Sequence, residues 1–116
     1  MPYSVEAAFI AFVASLGEDA HFAVPKGRPQ CLVTVSRSGG GIQNRVDYPE
    51  VAIDVWSSSA KDASDRALAI RSALLSKRPP AGVMKITAVL GPNWYPDPDT
   101  RQPCYELAVT CSCRVE

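Results

Sequence analysis

Hydrophobic positions along this chain follow two periods, which predict six elements in the order helix, strand, strand, helix, strand, strand. Residues 3–16 are predicted to form a helix because apolar side chains recur there every three or four positions. These side chains are Val5, Phe9, Phe12, Val13 and Leu16. A second helix is expected to begin at Ser59, which resembles a capping box with Asp62, and to end at Pro79-Pro80. Its apolar stripe consists of Ala63, Ala67, Ile70 and Leu74.

Four strands are predicted, at residues 31–36, 51–56, 83–90 and 104–116. The segment 51–56 has the clearest alternation, and its period places Trp56 on the polar side of the strand. The third strand is expected to carry one apolar face made of Met84, Ile86, Ala88 and Leu90. The fourth is expected to carry one made of Tyr105, Leu107, Val109, Cys111, Cys113 and Val115.

Elements with one apolar side each favour a two-layer α+β domain. We expect an antiparallel or mixed sheet of about four strands, with both helices covering one of its faces. The other face is polar apart from Trp56 and is expected to meet solvent or another copy of the chain.

Three consecutive glycines, Gly39 to Gly41, interrupt the polar segment between the first two strands. A phosphate loop would need a Lys-Ser/Thr pair and a following helix, whereas the next element here is a strand. A plain hairpin turn is the simpler interpretation, although hairpin loops usually have 2 to 5 residues and this connector has about 14. We expect a long flexible hairpin arm, with Ile42 as an apolar anchor and Arg37 and Arg45 as charged contacts.

Length and composition indicate a single domain over residues 1–116. The chain has 12 basic and 12 acidic residues, and this balance argues against a protein that mainly coats nucleic acid. The N-terminal segment lacks a basic start, and no apolar run approaches the roughly 18 residues of a membrane span. We therefore expect a chain that folds in a cytoplasm and has no membrane partner.

Residues with reactive side chains are scattered. A zinc site built on Cys31, Cys104, Cys111 and Cys113 is disfavoured, because Cys-x-Cys within a strand aims both thiols the same way; buried thiols are expected.

His21, the only histidine, is expected to be a solvated loop residue. Asp97 and Asp99 could bind a divalent cation, but turn formation is favoured. We predict no catalytic, cofactor or metal site. Trp94 and Tyr95, on a predicted loop at 91–103, and Trp56 are either interface anchors or packing residues.

The order of these features resembles the tail terminator (tail completion) proteins of long-tailed bacteriophages. A strand ends near Arg37 and the glycines, and Arg45 and Asp47 follow before a strand closing on "IDVW". A small polar turn and an alanine-rich helix ending "ALL" come next. A Gly-Pro, an aromatic residue and a proline-bearing loop then precede Arg101 and the final strand. The resemblance covers about residues 30–115, and the order and spacing of its motifs carry it.

This resemblance implies a structural virion protein without catalytic activity. Such proteins form a hexameric ring that caps the tail tube, ends its polymerisation and joins the tail to the head connector. The expected partners are further copies, the tail tube protein and head-closure proteins, and genomic DNA passes through the lumen without specific binding. The residues expected at subunit or tube contacts are Arg37, Ile42, Gln43, Asn44, Arg45, Asp47, Trp56, Trp94, Tyr95 and Arg101.

Two other interpretations stay open. Another head–tail connector or head-closure component would have a similar size and composition. A small α+β enzyme or ligand-binding module would need a pocket lined by His21, Asp97, Asp99 or the cysteines, which are scattered over three loops and one core strand.

Overall fold

A computed structural model describes residues 2–115 and contains one mixed five-stranded sheet and two helices. The helices are α1 (Val5–Ser15) and α2 (Ala60–Ser76). The strands are β1 (Ala20–His21), β2 (Leu32–Gln43), β3 (Val46–Trp56), β4 (Val83–Trp94) and β5 (Cys104–Arg114). Their order in the sheet is β1-β2-β3-β5-β4, with β1 parallel to β2 and every other pair antiparallel.

The α+β class and the two helices are confirmed, whereas the number of strands differs from the prediction. The additional strand is β1, two residues long, in a segment predicted to be a loop. It is recognised by pairing with Val33 and Thr34 of β2, which a two-residue sequence pattern cannot reveal.

Both helices begin at a capping serine. Ser4 Oγ accepts a hydrogen bond from Ala7 N (3.1 Å), and Ser59 Oγ accepts one from Asp62 N (3.1 Å). The Asp62 carboxylate accepts from Ser57 Oγ at 2.6 Å and makes no hydrogen bond to the Ser59 amide among residues 2–115. Only half of the predicted capping box is therefore present, as expected for the shorter reach of aspartate.

One core lies between the helices and a single face of the sheet. Val5, Phe9 and Val13 of α1 and Ala67, Ile70 and Leu74 of α2 contribute the helix side of this core. Val33, Val35, Val51, Ile53, Val55, Leu107, Val109, Cys111 and Cys113 contribute the sheet side. The predicted apolar stripes of both helices and the predicted apolar face of β5 are thus confirmed for these residues.

The predicted connector between the first two strands is mostly paired strand, so this expectation was wrong. Strands β2 and β3 stay hydrogen-bonded up to Gln43 and Val46, and Asn44 and Arg45 alone form the turn. Both turn residues have positive φ (51° and 64°), as the favoured two-residue hairpin turns require. The hairpin arm is therefore long, but most of it belongs to the sheet.

The glycines fit this strand for steric reasons. A bulge between Arg37 and Gly39 shifts the register. Gly40 has a φ of 91°, and a Cβ at this position would lie 2.0 Å from the carbonyl oxygen of Tyr48. Close approach of two backbones thus accounts for Gly40, whereas nothing lies within 4 Å of a Cβ built on Gly41.

The predicted apolar face of the third strand was also wrong. Register shifts at three places along β4 change which residues point towards the helices. Val83, Ile86 and Val89 pack on the core, whereas Met84 and Leu90 are exposed. Strand β4 also continues to Trp94, so the predicted loop at 91–103 begins only after that residue.

Candidate functional site

The sheet has one face without helices, which we call the helix-free face. Its residues alternate with the core residues along each strand. From the covered end towards the hairpin, the paired rows are Leu32–Trp56–Cys104, then Thr34–Asp54–Glu106–Asn93, then Ser36–Ala52–Ala108–Leu90, then Gly39–Glu50–Thr110–Ala88. The first row and Thr34 of the second row are buried, and the remaining residues are half-buried or exposed.

Trp56 does not lie exposed on this face; within its own chain it takes the packing role, one of the two roles left open for it. Its side chain is only 7% exposed and forms a second small core with Leu32 and Cys104, covered by Val24. The indole Nε1 donates to Thr34 Oγ1 at 3.1 Å, and the Arg28 guanidinium lies 5.1 Å from the ring centroid. The alternating period placed Trp56 on the correct side of the strand, but this side is covered by a distant segment.

The segment that packs over Trp56 includes Val24 and Arg28, and we call it the covering segment. Arg28 also binds this segment to the loop after β4. Its guanidinium donates to Asp97 Oδ2 (2.8 Å) and Gln102 Oε1 (2.5 Å). The other oxygen of Asp97 accepts from the backbone amides of Asp99 and Thr100 at 2.8 and 3.0 Å. These backbone bonds, with the Arg28 charge, lower the pKa of Asp97. The turn-forming role predicted for Asp97 is therefore confirmed.

Arg37 and Asp47 form a bidentate ion pair at the base of the hairpin, with two contacts of 2.7 Å. Hydrogen bonding from Arg37 lowers the pKa of Asp47. The backbone amide of Arg37 also donates to the Glu6 carboxylate of α1 (3.0 Å), and its Nε donates to the Gly39 carbonyl (3.0 Å). The structure thus gives both predicted contact residues a role within their own chain, where they stiffen the hairpin base.

The hairpin tip consists of Ile42, Gln43, Asn44 and Arg45, which are all exposed. Ile42 is 65% exposed, an unusual position for a branched aliphatic side chain. The Arg45 guanidinium makes no hydrogen bond or ion pair with residues 2–115, whereas its carbonyl accepts from Val115 N at 3.3 Å. The tip therefore presents one aliphatic and one cationic side chain on a fixed turn.

Exposed apolar side chains also lie on the edge strand β4. Met84, Leu90 and Trp94 are exposed, and Tyr95 follows directly. Trp94 keeps an edge-to-face contact with Tyr105 (centroids 5.3 Å apart), so about half of the indole packs within the chain. At the opposite edge, Phe22 follows β1 and Ile42 lies on β2.

Sequence reasoning missed most of these edge residues. Phe22, Met84 and Leu90 carry no motif, and their exposure depends on bulges and on the strand order. Arg101, a predicted contact, lies in the exposed loop with a φ of 65°, far along the chain from the hairpin tip. The predicted contact residues therefore do not gather into one site.

Asp54 and Glu106 are a further feature that sequence reasoning missed. They lie directly opposite each other on β3 and β5, and Thr34 is paired with Asp54 on its other side. Asp54 Oδ1 is buried and has no hydrogen-bond partner among residues 2–115. Burial, followed by the hydrogen bond and the charge of Glu106, raises the pKa of Asp54 to about 8. Both residues stand in alternating strands, but only the register between β3 and β5 shows that they meet.

The cysteines and the histidine offer no reactive centre among these residues. Cys104, Cys111 and Cys113 are buried free thiols, as predicted, and Cys31 is exposed. Burial, with the neighbouring Cys113, raises the pKa of Cys111 to about 12, which keeps it protonated and unreactive. His21 Nε2 lies 2.8 Å from Asp19 Oδ1 at the surface. Within residues 2–115, no group of three His, Cys, Asp or Glu side chains is arranged to hold a metal ion.

None of the helices described is long and apolar enough to cross a membrane. The sequence matches no protein-family model, and a search of the curated proteins finds no match.

Proposed function

We propose that this protein is a structural subunit that closes a ring with its own copies at the end of a phage tail tube, as tail terminator proteins do. The observation that carries the proposal is the position of its exposed apolar side chains. They lie at both opposite edges of one sheet, with Phe22 and Ile42 on one side and Met84, Leu90 and Trp94 on the other.

A closed ring of identical subunits requires two different contact surfaces on each subunit, and we assign these to the two sheet edges with exposed apolar side chains. A head-to-tail contact joins one surface of a subunit to a different surface of the next, and six such contacts close when the rotation between neighbours is suitable. Large aromatic and aliphatic side chains are frequent anchors at such contacts. A single isologous dimer would instead use one self-complementary patch.

The long hairpin supports the same function. The protein measures 42 × 29 × 23 Å along its principal axes, and paired strands continue to the turn at Asn44 and Arg45. A projecting, ordered arm can reach a neighbouring subunit or the last tube ring without the entropic cost of folding a loop on contact. Zero net charge is compatible with a lumen through which DNA slides without being held.

Electron microscopy tests this proposal. The purified protein is added to tubes polymerised from the tail tube protein of the same genome, and the tube ends are imaged. Rings at one end of the tubes, with tube growth arrested there, are expected. Binding to the portal-side proteins and not to tube ends would instead assign the chain to another head–tail connector component. Binding to neither would refute the proposal.

A further inference from the structure

The helix-free face carries two acidic side chains directly opposite each other, Asp54 and Glu106, which we call the acidic corner. On this face it forms the row next to Trp56 and Cys104, which the covering segment packs over. Beside it, Ala52 and Ala108 are directly opposite each other, and Leu90 continues their row with 60% exposure. Two small alanine side chains and an exposed leucine thus form the row next to the two carboxyl groups.

The acidic corner is incomplete in a single chain. A buried carboxylate oxygen without a hydrogen-bond partner is costly, and Asp54 Oδ1 has none within residues 2–115. The nearby cation of the covering segment, Arg28, is already bound to Asp97 at 2.8 Å. Burial and the charges of Asp54 and Glu106 raise the pKa of the Cys104 thiol, and the charge of Arg28 lowers it. A further cation would pair with the Glu106 carboxylate and favour ionisation of Asp54, whose carboxyl otherwise holds its proton beside Glu106.

The hairpin tip carries a matching pair of side chains. Arg45 offers a guanidinium without an ion-pair partner among residues 2–115, and Ile42, three residues earlier near the end of β2, offers an exposed aliphatic group. A planar guanidinium binds carboxylates through two parallel hydrogen bonds and tolerates desolvation better than an ammonium group. The tip is therefore complementary to the acidic corner in charge, and its exposed aliphatic side chain matches the apolar row beside the corner.

We propose that the hairpin tip of a second copy docks on the helix-free face, with its Arg45 between Asp54 and Glu106 and its Ile42 over Ala52, Ala108 and Leu90. This inference deepens the proposed ring function and rests on it for the identity of the partner.

The hairpin cannot reach the acidic corner of its own chain. Arg45 directly precedes β3 and lies nine positions before Asp54, or about 30 Å at the rise of an extended strand. Tip and corner thus lie at distant places on one subunit. A contact between them in two copies is directional, and repeated directional contacts give a ring or a filament.

Assembly of purified variants tests this inference. Arg45→Gln removes the guanidinium charge, and Arg45→Gly does so while placing glycine at a turn position with positive φ, so folding is preserved. Asp54→Asn removes the carboxyl group that a docked guanidinium would ionise and bind. Sedimentation velocity is expected to show at least about 30-fold weaker self-association for each, since breaking a buried charge pair typically costs 2 kcal/mol or more. Circular dichroism checks that each variant is folded.

Matched controls carry the same chemical changes elsewhere. Arg78→Gln and Asp99→Asn alter exposed residues outside the proposed contact, and both are expected to assemble as the wild type does. Unchanged assembly of the Arg45 and Asp54 variants, or equal weakening by the controls, would overturn the inference. So would a wild-type chain that stays monomeric at its highest soluble concentration.

Mixing the two defective chains gives the sharpest result. Arg45→Gly retains an intact acidic corner and Asp54→Asn retains an intact tip, so one good contact remains between them. A one-to-one heterodimer that does not grow further is expected in the mixture. Absence of any heterodimer would contradict tip-to-corner docking, and a symmetric wild-type dimer would contradict its direction.

These outcomes are separable from the proposed function. Rings that form through Arg45 and Asp54 but ignore tail tubes would refute the tail role and leave the docking inference intact. Tube-end binding that survives all Arg45 and Asp54 substitutions would refute the docking inference and leave the tail role intact.

Discussion

Replacing Asp54 by asparagine should change how the stability of this protein depends on pH. The folded protein holds the Asp54 proton up to a pKa of about 8, because the carboxyl is partly buried and faces Glu106. In the unfolded chain the same carboxyl loses its proton near its ordinary pKa of 3.8. Between these values the native state binds more protons than the unfolded state, so the free energy of unfolding falls as the pH rises.

The size of this effect follows from proton linkage. One proton gives a slope of about 1.4 kcal/mol per pH unit, or about 4 kcal/mol between pH 5 and 8. Because Asp54 keeps partial contact with solvent, screening reduces this upper bound, and we expect about 2 kcal/mol. Asparagine can still hydrogen-bond to Glu106 but carries no titrating group. The variant should therefore match the wild type only near pH 4 or below, and its advantage should grow by about 2 kcal/mol between pH 5 and pH 8.

Urea unfolding at several pH values, at a concentration where the protein is monomeric, measures the difference. Carboxylates with a lowered pKa, such as Asp47 and Asp97, lose their stabilising effect only as the pH falls below about 4, outside this window. The control Asp99→Asn should keep the wild-type slope. Parallel profiles for wild type and Asp54→Asn would refute the reasoning, since Asp54 would then titrate alike in both states.

The remaining predictions concern the hairpin and the thiols. Gly40→Ala should destabilise the protein by at least about 2 kcal/mol in chemical denaturation, since a Cβ would meet a backbone oxygen at 2.0 Å at a positive φ; Gly41→Ala should change stability by less than about 1 kcal/mol. A double-mutant cycle on Arg37→Ala and Asp47→Ala should give a coupling free energy of about 1 kcal/mol in unfolding experiments. Additive effects would show that the bidentate pair does not stabilise the fold. In the native state a thiol reagent should react rapidly with Cys31 alone, and fast labelling of more than one thiol per chain would contradict the burial of the other three.

Both helices and two of the strands could be predicted because their signals are local. The stripes of Val5, Phe9 and Val13 and of Ala67, Ile70 and Leu74 point to one side at helical spacing, and those side chains are buried as expected. Alternation along β3 and β5 identified the core residues of these strands for the same reason.

The other strand features could not be predicted because pairing between strands decides them. The hairpin from Arg37 to Asp47 contains glycine and polar residues that carry no strand signal, yet β3 supplies a full ladder for it. Along β4, each bulge changes which residues face the core, so a simple period places Met84 and Leu90 wrongly.

The candidate site was the least predictable part. Arg45 and Ile42 were expected at contacts and lie at an exposed tip, but the acidic corner depends on the register that sets Asp54 opposite Glu106. Trp56 shows the same limit, because the segment that covers it comes from residues far away in sequence.

Native mass spectrometry of the protein bound to tail tube ends tests the central claim most directly. The account predicts a closed ring, with six copies of this chain per tube end and no open filament. Single copies on the tube, or copies that add without limit, would contradict the claim that the protein functions by closing a circle.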